Sequence, residues 1–435
     1  MYVCLQIIEC FTSVKTKLKN TSPPNNQIPT NTMNFIDISS FINTHITKRD
    51  MSMFQKDLDD FNTQLTTEIA SKSVLVIGGA GTIGSSFIKA LLKFKPAKLI
   101  VVDTNENGLT ELTRDLRSEQ GQYIPATFLT YPMNFGDVVF EKMFLKHAPF
   151  DIVANFAAHK HVRSEKDQFS IEAMITNNVF KANAFLDLLL IHKPKHFFCV
   201  STDKAANPVN VMGASKKLME EMILSYADQI KITTARFANV AFSNGSLLAG
   251  YVDRIFKKQP ISCPEDVKRF FVSPEESGQI CLIACILGRS GDIFFPKLAS
   301  HTMINFKDIT LNFFKTMGVK VIQCNSDEEA RQWMAACSRE NTYPVYFFKS
   351  DTSGEKLYEE FYSENDTLEV DKFNGLGVIE NKLKPSGKNI QRYISSLKTL
   401  MINPEYTKES IIVLMRQFIP DFNHMETGKN LDQKM

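Results

Sequence analysis

Val74-Leu75-Val76-Ile77-Gly78-Gly79-Ala80-Gly81-Thr82-Ile83-Gly84 is the stretch from which the rest of the 435-residue chain is read. Four consecutive aliphatic residues are what a strand buried on both faces of a parallel sheet requires. The glycines follow at once, in the order GxxGxxG, and the residues after them have helical spacing. In such a strand-turn-helix the first glycine allows a tight turn. The second lets a phosphate approach the backbone, and the third lets the helix pack on its strand, leaving phosphate charge at the helix N-terminus.

Working outward, Leu99-Ile-Val-Val102, Ile152-Val-Ala154, Phe197-Phe-Cys-Val200 and Ile232-Thr-Thr-Ala235 are further short buried strands, with a weaker one near 124–129. Helical stretches near 83–94, 106–118, 137–147, 171–191 and 213–227 separate them. This alternation predicts an α/β fold, a doubly wound parallel sheet of the Rossmann type with helices on both faces. The second strand ends at Asp103, where a carboxylate can accept from the hydroxyls of an adenosine ribose and would repel a 2′-phosphate. The expected cofactor is therefore NAD rather than NADP, held by Gly78, Gly81, Thr82, Ile83, Gly84 and Asp103.

On this reading residues 1–33 are a Pro-, Asn- and Thr-rich disordered extension and 34–72 a helical N-terminal segment. The NAD-binding domain spans 73–240, a smaller mixed α/β substrate-binding region 241–364, and a C-terminal helical appendage 365–435. Fifty Lys plus Arg against 48 Asp plus Glu leave a formal charge of +2. That balance excludes nucleic-acid binding by bulk electrostatics. No apolar run reaches the length of a membrane span. Met1 to Phe11 makes a poor signal peptide, because Glu9 interrupts it and no basic residue precedes it. The eight cysteines are scattered without zinc or redox spacing, so no metal site is expected and the compartment is read as reducing and cytoplasmic.

The chemistry-bearing residues cluster at the ends of later strands. Ser201-Thr202-Asp203-Lys204 ends one strand, and Met212-Gly-Ala-Ser-Lys216 opens the helix after it. With the glycine motif, Ala157-Ala-His-Lys-His-Val162, Arg236-Phe-Ala-Asn239, Lys268-Arg-Phe-Phe271 and Gly354-Glu-Lys-Leu-Tyr-Glu-Glu360, they stand in an order that closely resembles the bacterial nucleotide-sugar 4,6-dehydratases. These form the polysaccharide-biosynthesis branch of the extended short-chain dehydrogenase/reductase superfamily. The resemblance runs from about Ser73 to Glu360.

The resemblance implies an internal redox reaction on a UDP- or GDP-linked N-acetylglucosamine, giving its 4-keto-6-deoxy form for a surface polysaccharide or glycan. Hydride leaves carbon 4 for NAD, carbon 5 loses a proton, water leaves carbon 6, and the hydride returns there. The implied catalytic residues are Thr202, Asp203, Lys204, Met212 and Lys216, with Asp203 and Lys204 as the acid and base of the elimination. Lys216 would also hold the nicotinamide ribose. Asn134 and Ala157 would line the cofactor, with Asn134 where an Asp usually meets adenine. Lys160, His161, Asn178, Arg236, Asn239 and Arg269 would bind substrate, although His161 reads equally well as a satisfied loop histidine. Thr352-Ser353 replaces the Arg-Pro of the family pattern and leaves the nucleotide open.

Met212 is the departure that matters. Most of the superfamily has Tyr there to take the carbon 4 hydroxyl proton, and a thioether cannot. Either another group or a water relay does so, or the protein is inactive. Two other readings remain: a nucleotide-sugar epimerase, which needs no Asp-Lys pair, and a non-catalytic NAD or nucleotide-sugar binder. The resemblance also implies a homo-oligomer, paired through the long helices near 171–191 and 213–227.

Overall fold

The computed structural model describes residues 36–336, 341–350, 360–380 and 386–425. The expectation of disorder over 1–33, and the Gly354 motif apart from Glu360, lie outside the described residues. The main sheet has nine strands: β1 Ser73–Ile77, β2 Lys98–Asp103, β3 Thr127–Pro132, β4 Ile152–Asn155, β5 His196–Val200, β6 Ile232–Ala235, β7 Ile293–Pro296, β8 Leu368–Glu369 and β9 Leu376–Ile379. Their spatial order is β3-β2-β1-β4-β5-β6-β7-β9-β8. The first six run parallel in the doubly wound order, and β7 extends them in parallel, pairing Ile293 with Thr234.

The aliphatic run forms β1 because it has a strand on each side and a helical layer on each face. Val74 pairs with both Leu99 and Ile152, and no residue from Val74 to Ile77 is more than 1% exposed. The weaker strand lies three residues later than 124–129. As an edge strand it alternates between exposed and half-buried, so its apolar signal is diluted. Between them pack helices Thr82–Leu92, Glu106–Ser118, Val138–His147 and Val211–Leu224. The long helix before β5 comes in three pieces, Gln168–Ile175, a π-helical turn Thr176–Phe180, and Lys181–Leu189. Pro274–Leu287, which carries Cys281 and Cys285, is a buried helix, opened by a capping box between Ser273 and Glu276.

The sheet extends beyond the alternating segment. β7 comes from the 241–364 region, and β8 and β9 from the 365–435 appendage expected to be helical. β9 joins antiparallel, Phe294 facing Val378, which places Leu376 and Val378 against a core that local pattern alone does not reveal. The N-terminal segment carries helices between Ile38 and Ile69. Its Asp57, fully buried, accepts from the backbone N–H of Asn374 and Gly375, clasping the turn before β9. Arg49 holds Glu276 through two hydrogen bonds of 2.9 and 2.8 Å. A smaller parallel sheet, Lys320–Cys324, Thr342–Phe348 and Ile261–Pro264, has its own core around Tyr251, Phe313 and Phe314.

Helices Gly387–Ile402 and Lys408–Phe418 lie on the Gln168–Leu189 and Val211–Leu224 face. Gln391 Nε2 donates to Asn183 Oδ1 at 2.7 Å, Tyr406 donates to Glu172, and the Lys398 ammonium sits 5.2 Å over the Phe180 ring. This chain's own C-terminal helices thus rest on part of the surface named for pairing two subunits, at Glu172, Phe180 and Asn183. Among the described residues no helix is long and apolar enough to cross a membrane.

Candidate functional site

The glycine turn opens at the carboxyl end of β1. Gly78 has φ +75°, a left-handed conformation that disfavours side chains, and a Cβ there would come within 2.6 Å of the Ala157 nitrogen. A Cβ on Gly84 would overlap the Gly78 carbonyl oxygen. Gly81 differs: it has ordinary φ, −72°, and a Cβ would touch only that same oxygen, at 3.5 Å. The protein's packing therefore accounts for Gly78 and Gly84, whereas Gly81 keeps open the space before the N-terminus of Thr82–Leu92. A dinucleotide pyrophosphate fits such a cradle. Among the described residues no group of three His, Cys, Asp or Glu side chains could hold a metal.

Around the cradle, Asp103 Oδ2 accepts from the Ala80 N–H and Oδ1 from the Asn105 N–H, both at 2.9 Å. The carboxylate is half-buried at the end of β2 and has lone pairs for further donors. Asn134 Oδ1 takes the Gly136 N–H and the Lys181 ammonium at 2.9 and 3.0 Å. Thr82 and Ile83 begin the helix beside the cradle, and Thr82 Oγ1 accepts from the Asn244 N–H at 2.9 Å. The Asn244 carbonyl in turn accepts from the exposed Lys160 ammonium at 3.1 Å. His161 lies on the same loop against Gly245. The sequence carried no signal for this Thr82-Asn244-Lys160 bridge, since two of its bonds use the backbone of Asn244.

At the end of β5 the chain turns through a 3₁₀ segment, Asp203–Ala205. Asp203 is 4% exposed, and its Oδ1 accepts from Thr202 Oγ1 at 2.7 Å, the Lys204 N–H at 2.9 Å and the Lys204 ammonium at 3.1 Å. The next helix begins hard against this turn: a Cβ on Gly213 would lie 2.5 Å from the Lys204 carbonyl oxygen. That packing places Met212, 2% exposed, and Lys216 beside the Thr202-Asp203-Lys204 triplet.

Lys216 is 3% exposed, and its ammonium donates to the Val200 carbonyl at 2.6 Å and the Met219 sulfur at 3.3 Å. Burial pushes its pKa below the usual lysine value, opposed by Cys199 and Glu220. Burial also pushes the neighbouring Cys199 thiol up to about 11. Asn178, buried in the π-helical turn, accepts from the His159 N–H at 2.8 Å and donates to the His159 carbonyl and Ser215 Oγ. It clamps the 156–161 loop to the helix of Lys216, a use for a π-turn beside a site.

Of the residues expected to bind substrate, Arg236 is placed otherwise. It is 2% exposed, fork-paired with Glu220 Oε1 and Oε2 at 2.9 and 2.7 Å, and it donates to the Phe361 carbonyl. Its guanidinium is spent inside the protein, beneath the site, because a planar fork matches a carboxylate as well as a phosphate. Sequence reasoning missed Glu220, which lies one helical turn beyond Lys216. Asn239 is half-buried on a two-residue strand that pairs with Phe271, and Arg269 is 5% exposed and donates to the Lys268 carbonyl. Arg269 lies in the 241–364 region, and Asn239 in the segment that leads to it from β6.

Residues 74–381 match the family model described as polysaccharide biosynthesis protein. An uncharacterized membrane protein of Methanocaldococcus jannaschii is 32% identical over 347 residues, 78% of this chain and 94% of that protein. A UDP-N-acetylglucosamine 4,6-dehydratase (inverting) of Campylobacter jejuni is 25% identical over 331 residues, 74% of this chain and 90% of that one. The X-ray structure of Pen from Bacillus thuringiensis shares the fold with a TM-score of 0.59, at 21% identity, over 73% of this chain and 89% of Pen.

Proposed function

The chain belongs to the polysaccharide biosynthesis protein family, and from that premise we propose that it is an NAD-dependent 4,6-dehydratase of a nucleotide-linked N-acetylglucosamine. The observation that carries this reading is the hydrogen bond between Lys204 Nζ and Asp203 Oδ1, with Thr202 Oγ1 on the same oxygen. Gly81, Thr82 and Asp103 would hold NAD, which supplies a hydride acceptor at carbon 4 and a donor at carbon 6.

What the chain's own groups must do is move two protons. Once carbon 4 is a ketone, loss of water needs a base for the carbon 5 proton and an acid for the carbon 6 hydroxyl. The carbon 4 hydroxyl proton, delivered to Asp203 Oδ1 as the hydride leaves, makes Asp203 that acid, and Lys204, whose Nζ lies 3.1 Å away, is that base in its neutral form. When Asp203 gives its proton to the departing hydroxyl and Lys204 takes the carbon 5 proton, the ion pair forms, and Lys204 returns its proton to carbon 5 as the hydride reaches carbon 6.

Thr202 answers the loss of Tyr at Met212. Its hydroxyl, already donating to Asp203, can take the carbon 4 hydroxyl proton as it passes its own to Asp203 Oδ1. The decisive experiment incubates the purified protein with UDP- and GDP-N-acetylglucosamine and identifies the product by NMR. A 4-keto-6-deoxy sugar supports the reading. A carbon 4 epimer, or no product with either sugar, overturns it.

A further inference from the structure

The turn that carries Thr202, Asp203 and Lys204 is held only in part by its own bonds. Its first half closes on itself, the Ala205 and Ala206 N–H groups donating to the Thr202 and Asp203 carbonyls at 3.1 Å. Its second half cannot continue in that way, because Pro208 has no N–H and Asn210 has already turned to cap the next helix, accepting from the Gly213 N–H at 2.7 Å. Two carbonyls, of Pro208 and Val209, are left facing away from the helix. The C-terminal tail meets both: the Asn423 N–H donates to Pro208 at 3.2 Å and the Met425 N–H to Val209 at 3.0 Å.

The tail is itself anchored. Ile419 and Phe422 are 4% and 2% exposed, in the main core, and the Phe422 N–H bonds the Ile419 carbonyl. The preceding helices are pinned to the Gln168–Leu189 helix by Tyr406 on Glu172 and by Gln391 on Asn183. From the other side, Asn207 Nδ2 donates to Glu360 Oε2 at 2.8 Å. The 207–209 stretch is thus gripped by two segments that arrive from more than 150 residues away in sequence.

We propose that Ile419–Met425 is a positioning strap, which fixes the 201–210 turn so that Asp203 and Lys204 stand in one arrangement. The proposal rests on the reading of that turn as the reacting segment, and its physical part is separable from that reading. A turn with two loose carbonyls samples other conformations, and misplacement by about an ångström is enough to slow an elimination severely.

The test uses the full chain with Asn423→Pro and Met425→Pro together, which removes both donors. Asn423→Ala with Met425→Ala keeps them. A third variant ends after Asp421, should the prolines not be accommodated. Amide hydrogen exchange at Ala205 and Ala206 is expected to quicken about tenfold or more in the proline and shortened variants and to stay near the parent rate in the alanine variant. Turnover of UDP-N-acetylglucosamine is expected to fall in kcat with KM and retained NAD unchanged. Unchanged exchange in both donor-less variants overturns the strap, whatever the activity. Faster exchange in a protein that acts on no nucleotide sugar upholds the strap and removes the dehydratase reading instead.

Discussion

Gly84 is packed against Gly78 so closely that a Cβ on it would overlap the Gly78 carbonyl oxygen, whereas a Cβ on Gly81 would meet the same oxygen at an ordinary 3.5 Å. The two glycines therefore fail differently. Gly84→Ala forces the turn or the helix to shift and is expected to cost about 1–3 kcal/mol of stability. Gly81→Ala should stay within about 0.5 kcal/mol of the parent while losing the NAD retained through purification. Urea unfolding reads the first effect. Chromatography of nucleotide released on denaturation reads the second. A Gly81→Ala protein that keeps its full complement of NAD would show that the cradle is not where the pyrophosphate lies.

Glu220 and Arg236, 1% and 2% exposed, are each other's partners in the floor of the site. Removing one of them strands the other charge out of water, which typically costs about 3–5 kcal/mol, whereas replacing both with apolar groups of similar size is often neutral. Glu220→Leu and Arg236→Met are each expected to lower the urea midpoint sharply. The double variant should recover most of the loss. If Arg236 instead gripped substrate phosphate, Arg236→Met would raise KM while leaving the unfolding midpoint in place.

How much of this was legible depended on whether a signal was local. Val74–Ile77 and Ile232–Ala235 announce themselves because a strand covered on both faces must be aliphatic throughout. β9 did not, since Leu376-Gly-Val-Ile379 becomes a strand by finding β7, some 80 residues earlier. Thr202, Asp203, Lys204 and Lys216 were legible as residues at a strand end and the following helix start, with roles that only the family resemblance implied, and the fold brings them to one end of β5. Arg236 was misjudged because an isolated arginine at a strand end carries the same sequence signal whether it faces a phosphate or a buried Glu220. The partners of the Phe185 face were equally hidden, as an apolar excess does not say which partner removes it: Phe185 packs on Phe140 and Phe144, while helices 387–418 meet Asn183 and Phe180.

Lys216 should show itself in the pH dependence of stability. Burial lowers its folded-state pKa, whereas in the unfolded chain it keeps its proton to about pH 10.4. Between those two values the unfolded state binds more protons, so this residue makes stability rise with pH, and its unfavourable contribution is full only below the folded pKa. Lys216→Met should remove that rise. Urea titrations of parent and variant from neutral to alkaline pH are expected to give a difference in stability that shrinks or reverses in the parent's favour as pH climbs. A constant difference would mean that the ammonium is not desolvated.

The division of labour between Asp203 and Lys204 follows from the single bond that joins them, and it is the point at which the functional reading is most exposed. Without its base, the Lys204→Ala protein has nothing placed to take the carbon 5 proton, so in deuterated water no deuterium should enter that position. Asp203→Asn keeps the base but removes the acid. Exchange at carbon 5 is then expected to persist while loss of water slows by roughly two to four orders of magnitude, the usual worth of a positioned acid. Thr202→Val removes the hydroxyl that feeds Asp203 Oδ1 and should slow turnover, while Thr202→Ser restores it, because only the oxygen is needed. Mass spectrometry of the sugar in deuterated water, together with product formation, separates the four variants. If Lys204→Ala and Asp203→Asn both turn over at the parent rate, the 3.1 Å pair is an ion pair that ends a strand and nothing more, and the dehydratase reading falls with it.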